Sequence, residues 1–500
     1  MDSHLDATTT TSTAADPRRW IALIVIATST LMVVLDASIM NIALPHVQSA
    51  LSIPDADRHW IITSYTLAFG GLLLLGGRVA DLLGRKRMFV IGLLGFAAAS
   101  ALGGMAMNAP VLFGARALQG VFAALVTPAA LSLISVTFVE TRERARAFAV
   151  YSGVAGAGGA AGLLLGGTLT EYTNWRWCLF VNIPIAILAA SSALPTVRED
   201  RIDGPRRFDF PGTILVTSGL VALVYGFTEA GKDGVSWLDA PTLVPLFVGM
   251  VLLIAFIRVE ARAAHPLLPL RLVTDRNRGA AYLAAVLLGA GMFGMLLFLT
   301  YYLQVNLEYG PLKAGLAFLP FSAGIIATAA LASSLLPRCG AKPLMVIGMI
   351  TATIGLTWLV TIDMSSTYLD SVLPAEILMG VGIGLVFVPM STVALARVDP
   401  RDAGVASAML NTSQQIGGAL GVALLNTLYA AALSRHVTAN ADLPPEQALL
   451  DGTLAGYSVA FAVGAALFVG ALLVVSTIQS EKLSTREVGK PDHGSFGGNG

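Results

Sequence analysis

The segment GRKRMFVIGLL (residues 84–94) aligns without a gap with a second segment, GAKPLMVIGMI (residues 340–350), at an offset of 256 residues. A second pair, TRERARA (141–147) and PRDAGVA (400–406), aligns at an offset of 259 residues. Each of these segments joins one apolar run to the next. Two similar offsets at separate places indicate that the chain contains two halves in the same orientation.

The halves are made of apolar runs long enough to cross a bilayer. Of the 500 residues, 55% are hydrophobic and only 12% are charged, and the mean hydropathy is +0.74. A helix needs about 20 apolar residues to span a hydrocarbon core of ~30 Å. The sequence therefore predicts an all-α integral membrane protein with fourteen transmembrane helices, at 20–44, 60–77, 88–107, 110–135, 145–167, 177–195, 210–229, 240–258, 279–302, 313–335, 342–362, 373–395, 403–429 and 456–478.

The repeat offset is too large for two adjoining halves. Six helices with short loops need only about 200 residues, so helices 7 and 8 (210–258) are interpreted as an insertion in a 6+2+6 plan. The predicted units are a disordered cytoplasmic tail (1–19), an N-terminal six-helix bundle (20–197), cytoplasmic linkers with the inserted helices (198–278), a C-terminal six-helix bundle (279–478) and a second disordered cytoplasmic tail (479–500).

The basic residues set the orientation, because cytoplasmic loops retain Lys and Arg. With the N-terminus inside, 25 of the 31 Lys and Arg residues fall on the cytoplasmic side. Five fall outside and one, Arg116, lies within a helix. Both termini are therefore predicted to be cytoplasmic.

Several sequence motifs, in the order in which they occur along the chain, resemble those of a known protein family. GRVADLLGRKR (77–87) and LFGARALQG (112–120) resemble the loop 2–3 and helix 4 signatures of the major facilitator superfamily. LDASIMNIALP (35–45) resembles the helix 1 motif of its 14-helix drug:proton antiporter branch, and NWRWCLFVNIP (174–184) and FDFPG (208–212) are also typical of that branch. The resemblance extends over nearly the whole chain apart from the tails.

The resemblance implies the major facilitator fold and a function. We expect proton-coupled efflux of hydrophobic, cationic or amphipathic drugs or antibiotics by alternating access, with a small molecule, protons and the lipid bilayer as partners. The implied location is the inner (cytoplasmic) membrane of a bacterium, where the protein is expected to be a monomer. The alternative is a dedicated metabolite or lipid-precursor transporter, including a self-resistance exporter for one antibiotic.

One motif departs from the family pattern. The antiporter signature on helix 5 contains a Gly-Pro pair, whereas AGAGGAAGLLLGG (155–167) has Leu163 in the proline position. The glycine motif Gly158, Gly162, Gly166 and Gly167 remains. These glycines predict close helix packing, while the missing proline leaves the bending of helix 5 and the antiport mechanism open.

The loop between helices 2 and 3 is predicted to be a conformational latch between the two halves. Glycines permit a tight turn, and a carboxylate can dock at the N-terminus of helix 13, near Asp402–Ala403, because the helix dipole favours negative charge there. The alternative is that the loop only supplies inside charge for topology. The predicted latch residues are Gly77, Asp81, Gly84, Arg85 and Lys86.

Charged residues within the membrane are few. Asp36 lies ~12 Å inside the outer end of helix 1 and Arg116 lies ~9 Å inside the outer end of helix 4. Such residues usually face a cavity or a partner, so both are predicted to line one cavity of the N-terminal half and to carry proton coupling. The alternative is a structural ion pair. Glu229, Asp363 and Glu376 lie near helix ends and are interpreted as interfacial, and Glu229 is the candidate secondary acid among them.

The substrate site is expected between the halves near the midplane. Met32 and Met40 flank Asp36 on one helical face, and methionines suit a cavity that must adapt to varied shapes. Each candidate has ordinary packing as its alternative. The cavity candidates are Met32, Met40, Asn41, Tyr65, Gln119, Tyr301, Tyr302 and Gln304.

The sequence contains no enzyme signature. The predicted topology places all six histidines in tails or loops, so no metal site is expected. GFTEAGKD (226–233) has the spacing of a phosphate-binding loop but lacks the Ser or Thr that must follow the lysine. No cofactor, nucleotide or nucleic-acid partner is therefore predicted, and a membrane enzyme or sensor is the least favoured class.

Overall fold

The computed structural model describes residues 18–138, 140–197, 199, 209–232, 234–263, 266–399 and 402–479. Within these ranges the chain is helical and contains no strand. The predicted disordered tails lie outside the described residues apart from Arg18, Arg19 and Gln479, and so does most of the linker at 198–210.

Fourteen helices of the described ranges are long and apolar enough to cross a membrane, as predicted. They are α1 (Arg19–Ala50), α2 (Trp60–Leu83), α3 (Arg85–Gly104), α4 (Ala109–Thr137), α5 (Arg142–Tyr172), α6 (Trp177–Thr196), α7 (Phe210–Ala230), α8 (Ala240–Glu260), α9 (Arg276–Asn306), α10 (Pro311–Cys339), α11 (Ala341–Leu359), α12 (Tyr368–Leu395), α13 (Ala403–Ala439) and α14 (Pro445–Ser476).

The last two helices are longer than predicted. Helix α13 continues ten residues past the predicted end, because Ala, Leu and Arg, all good helix formers, follow position 429. Helix α14 starts at Pro445, a residue suited to the first helical turn. Arg435 and His436 therefore lie on α13, and His46 lies within α1, so the prediction that all histidines occupy tails or loops was wrong.

The repeat seen in the sequence is also present in the packing. In the first half, α1 packs on α5, α2 on α4, and α3 on α4 and α6. In the second half, α9 packs on α13, α10 on α12, and α11 on α12 and α14. The equivalent glycines of the aligned segments, Gly84 and Gly340, both adopt a positive φ, at 108° and 75°. A side chain would be strained there, so the aligned glycine supports the same turn in each half.

Helix α7 bridges the two halves. It packs on α2 of the first half, on α13 of the second half and on its own partner α8. Helix α8 instead exposes large apolar side chains such as Phe247 and Ile254, as a lipid-facing helix does. Asp209 begins α7 by accepting a hydrogen bond from Gly212 N at 2.9 Å, a typical N-cap. The insertion therefore covers one side of the contact between the halves.

The halves meet at the ends assigned to the outside. Tyr301 Oη donates to Gln48 Oε1 at 2.6 Å, and Gln304 Nε2 donates to the Ile42 carbonyl at 2.8 Å. Leu312 N donates to Glu171 Oε2 at 2.9 Å. At the cytoplasmic ends, a cavity of about 570 Å³ separates α2 and α4 from α13. The conformation is therefore closed outside and open inside, and this space is called the inner cavity below.

Candidate functional site

Asp36 lies at the centre of a buried polar cluster in the first half. This residue of α1 is 1% exposed. Asp36 Oδ2 accepts a hydrogen bond from Arg116 Nη1 at 2.5 Å, and Oδ1 accepts from Gln119 Nε2 at 2.9 Å and from Asn182 Nδ2 at 2.7 Å. Three donors from α4 and α6 thus hold one carboxylate, an arrangement that stabilises negative charge away from water.

Arg116 is held as tightly as Asp36. Its Nε donates to the Ile61 carbonyl at 3.1 Å and its Nη1 to Gln119 Oε1 at 2.9 Å. The guanidinium carbon lies 4.5 Å from the centre of the Tyr65 ring, within cation–π range. Gln119 Nε2 also donates to Ser100 Oγ at 2.8 Å. These five polar residues, Asp36, Arg116, Gln119, Asn182 and Ser100, are called the Asp36 cluster below.

The sequence predicted that Asp36 and Arg116 line one cavity, and the structure places the two side chains in direct contact. Neither residue lines the inner cavity, and both are enclosed by α1, α2, α4 and α6. Their role in proton coupling stays a prediction. Sequence reasoning missed Asn182 and Ser100, although a polar residue inside an apolar run is itself a signal, and Asn182 belongs to the motif NWRWCLFVNIP.

The cavity candidates fall into three places instead of one. Met32 and Met40 are fully buried in packed cores, and Asn41 donates to the Ala37 carbonyl of its own helix. Tyr65 and Gln119 belong to the surroundings of Arg116. Tyr301 and Gln304 lie at the outer contact, whereas the neighbouring Tyr302 Oη donates to the Ser366 carbonyl of its own half at 3.3 Å. Their part in substrate binding stays a prediction.

The other acids differ in surroundings. Glu229 pairs with Lys232 at 2.6 Å on the outer end of α7, and its role as a secondary acid stays a prediction. Asp363 is exposed in the loop after α11. Glu376 is fully buried, and neither carboxyl oxygen has a hydrogen-bond partner among the described residues. Glu376 is buried because α10 packs on α12 and covers this part of the helix, and its interfacial depth in the membrane stays a prediction.

Two of the five predicted latch residues line the inner cavity. Gly77 and Asp81 on α2 and Asp402 and Ala403 at the start of α13 line the cavity together. Asp81 Oδ1 accepts from Arg85 Nε at 2.9 Å within its own segment, and Asp402 pairs with Arg271 at 2.5 Å. Lys86 Nζ donates to the Leu194 carbonyl at 2.6 Å. The two latch surfaces thus face each other across the cavity, and closure of the inner side would bring them together.

Replacing Asp81 with asparagine is expected to slow transport about fivefold at normal expression. The amide removes the negative charge that the α13 N-terminus favours, an effect of about 1 kcal/mol. Transport would be measured in proteoliposomes, with Glu446→Gln, an exposed acid on the outer end of α14, as the control. Turnover equal to that of the control would show that the loop serves topology alone.

The helix 5 glycines pack as the sequence predicted. A Cβ on Gly162 would lie 2.7 Å from Ser38 Cβ, and one on Gly166 would lie 2.8 Å from Ile39 Cα. Gly158 faces Leu31 and Val34. Gly167 instead faces Pro311 of the second half, and helix α5 is continuous past Leu163. The glycines therefore bring α5 against α1 on one side and against α10 on the other.

Gly166→Ala is expected to destabilise the protein by about 1–3 kcal/mol, because the added methyl would meet backbone atoms of α1 that cannot rotate away. Gly156→Ala on the same helix is the matched control, since no atom lies within 4 Å of its added Cβ. Thermal unfolding in detergent would compare the two variants. Equal melting temperatures would contradict the close packing of α1 and α5.

The fold and the motifs agree with a family of transporters. A model of the Major Facilitator Superfamily matches residues 26–422. The chain therefore belongs to this superfamily: it is a multi-pass membrane transporter of small molecules and not an enzyme. The resemblance inferred from the motifs and the fourteen-helix fold class are confirmed.

Individual relatives are resistance and export proteins. The chain is 48% identical over 479 residues to the puromycin resistance protein pur8 of Streptomyces alboniger, covering 95% of this chain and 94% of that protein. It is 38% identical to the cephamycin export protein CmcT of Amycolatopsis lactamdurans, covering 85% and 87%. Its fold is similar to that of a bacterial homolog to the human lysosomal transporter Spinster, in an inward-facing and unoccupied conformation, with a TM-score of 0.62, 17% identity and coverage of 93% and 98%.

Proposed function

We propose that the protein exports antibiotic-like organic cations or amphipathic molecules from the bacterial cytoplasm, in exchange for protons that enter. Residues 20–197 and 279–478 act as its two moving bundles, the inserted helices bridge them, and one chain in the inner membrane suffices. The observation that carries the proposal is the Asp36 carboxylate, buried in the membrane and held by three donors. An intramembrane acid of this kind is typical of proton pathways.

Asp36 is the group that exchanges the proton. In the inward-open conformation Asp36 Oδ2 accepts a hydrogen bond from Arg116 Nη1 at 2.5 Å. When the outer side is open, a proton that enters from outside would neutralise Asp36 and weaken its pair with Arg116. Helices α1 and α4 would then be free to rearrange. One proton that crosses a potential of 100 mV supplies about 2.3 kcal/mol. That energy supports a concentration ratio of about fortyfold for a neutral substrate.

The relatives support the substrate class. The names of the two relatives described above refer to puromycin resistance and to cephamycin export, so an antibiotic or a drug of similar size is the proposed cargo. The high identity to a protein named for resistance to one antibiotic also favours a second candidate, a self-resistance exporter dedicated to a single compound.

The test is a panel of toxic compounds in an efflux-deficient bacterium that expresses the protein. Puromycin, a cephamycin, ethidium and a neutral antibiotic would be compared with and without a protonophore. Raised tolerance to several compounds, abolished by the protonophore, supports the drug exporter. Protection against puromycin alone supports the dedicated exporter, and tolerance that survives the protonophore would refute proton coupling.

A further inference from the structure

A buried arginine crosses from one half to the other at the outer contact. Arg58 precedes α2 in the first half, and the residue is only 2% exposed. Its guanidinium carbon lies 4.2 Å from the centre of the Tyr301 ring, 4.5 Å from that of Tyr429 and 5.7 Å from that of Phe298. All three rings belong to the second half, on α9 and α13. They are called the aromatic cage below.

We propose that the aromatic cage is a binding site for the cationic group of the transported molecule, and that Arg58 occupies this site while the outer side is closed. The cage accepts a guanidinium in the present conformation, so its chemistry suits a substituted ammonium or guanidinium group. This inference rests on the proposed export of organic cations and assigns the place where such a cation binds near its exit.

The three rings of the cage all belong to the second half, although the Tyr301 hydroxyl also donates to Gln48 of the first half. Phe298 stacks on Tyr429 at a ring distance of 5.4 Å, and Tyr429 lies 5.3 Å from Tyr457 on α14. Tyr457 in turn stacks on Phe461 at 6.5 Å. Three helices of one bundle therefore hold the rings in place. Withdrawal of Arg58 would leave Phe298 and Tyr429 in place, because none of these ring contacts depends on the first half.

Most of the groups that hold Arg58 also belong to the second half. Its Nε donates to Asn426 Oδ1 at 3.0 Å, whereas Asp55 of its own loop lies 3.8 Å away and is half exposed. Asn426 Nδ2 donates to the Asp55 carbonyl at 3.0 Å and fixes the loop against α13. Burial lowers the pKa of the neighbouring His59 to about 3, so this histidine is neutral at pH 7 and Arg58 is the cation that enters the cage.

Alternating access gives the cage two occupants in turn. When the outer side opens, the loop at 51–59 separates from α13 and Arg58 leaves the cage. The rings and the Asn426 amide then face the outward-open space, where a substrate cation can bind. When the outer side closes, Arg58 returns and displaces that cation. A tethered competitor of this kind favours release to the outside.

The test is binding of benzyltrimethylammonium, a quaternary ammonium probe, to the purified full-length protein by isothermal titration calorimetry. Arg58→Gln removes the competing charge and is expected to tighten binding at least tenfold. Arg58→Lys keeps a competing cation and is expected to stay within threefold of the wild type. In the Arg58→Gln background, Tyr429→Phe should keep the gain, because the ring remains, and Tyr429→Leu should abolish it.

Each outcome decides the proposal. Binding to Arg58→Gln that is absent or no tighter than to the wild type would overturn it, and so would a gain that survives Tyr429→Leu. Thermal unfolding of every variant confirms that the compared proteins are folded. The titration needs no proton gradient, so cage binding can hold while protonophore-sensitive efflux fails. Protonophore-sensitive efflux without tighter binding of the probe to Arg58→Gln would refute the cage and leave the proposed function in place.

Discussion

Replacing Asp36 with asparagine is expected to abolish proton release when substrate is added to the purified protein. Asparagine has nearly the same size as aspartate, but its amide does not bind or release a proton near neutral pH. The variant therefore loses the proposed coupling group. Efflux against a gradient should fall at least tenfold in the same variant. Proton release would be followed with a pH-sensitive dye in weakly buffered detergent solution.

The control for this experiment is Asp363→Asn, which changes an exposed carboxylate in the loop after α11. This variant should release protons as the wild type does. Unchanged release from Asp36→Asn would remove Asp36 from the coupling mechanism and would leave its pair with Arg116 as a structural contact.

The second large effect is expected on folding. Arg116→Met removes the cation that balances Asp36 at 2.5 Å within the bundle. Removal of one partner of a buried ion pair costs about 3–5 kcal/mol, because the other charge stays buried without compensation. The melting temperature in detergent should fall accordingly, and expression should decrease.

The double variant Asp36→Asn with Arg116→Met tests whether the unpaired charge of Asp36 causes the loss of stability in Arg116→Met. Once both charges are absent, most of the lost stability should return, and a double-mutant cycle measures the coupling between the two residues. Additive losses in the two single variants would show that Arg116 stabilises the bundle through packing or through its bond to the Ile61 carbonyl, and not through Asp36.

Sequence reasoning reached the Asp36–Arg116 pair but not its surroundings. Both residues are charged, lie inside apolar helices and have similar calculated depths, so their partnership followed from the cost of charge in lipid. Asn182 contributes the third donor from a position 146 residues away along the chain. No depth argument selects it, because α6 can present any of its faces to α1 until the helices are packed.

The position of a residue along its helix likewise did not predict whether its side chain is buried within a bundle. Glu376 lies four residues after Val372, near a helix end, and yet is fully buried. Met32 and Met40 flank Asp36 on one face and yet belong to two different packed cores. Distance from a helix end gives depth in the membrane, whereas exposure depends on which neighbouring helix covers that face.

The sequence by itself determined the fourteen helices, the orientation suggested by basic residues, the repeated halves and the acid in α1. The bilayer acts on each segment separately, because every spanning helix must be apolar and must satisfy its own backbone, so these properties follow from local composition. Only the tertiary structure decided that Asn182 completes the Asp36 cluster, that the latch surfaces face each other across the inner cavity and that Arg58 enters a cage of the other half. These contacts join residues far apart in the chain, and helix packing, not lipid, selects them.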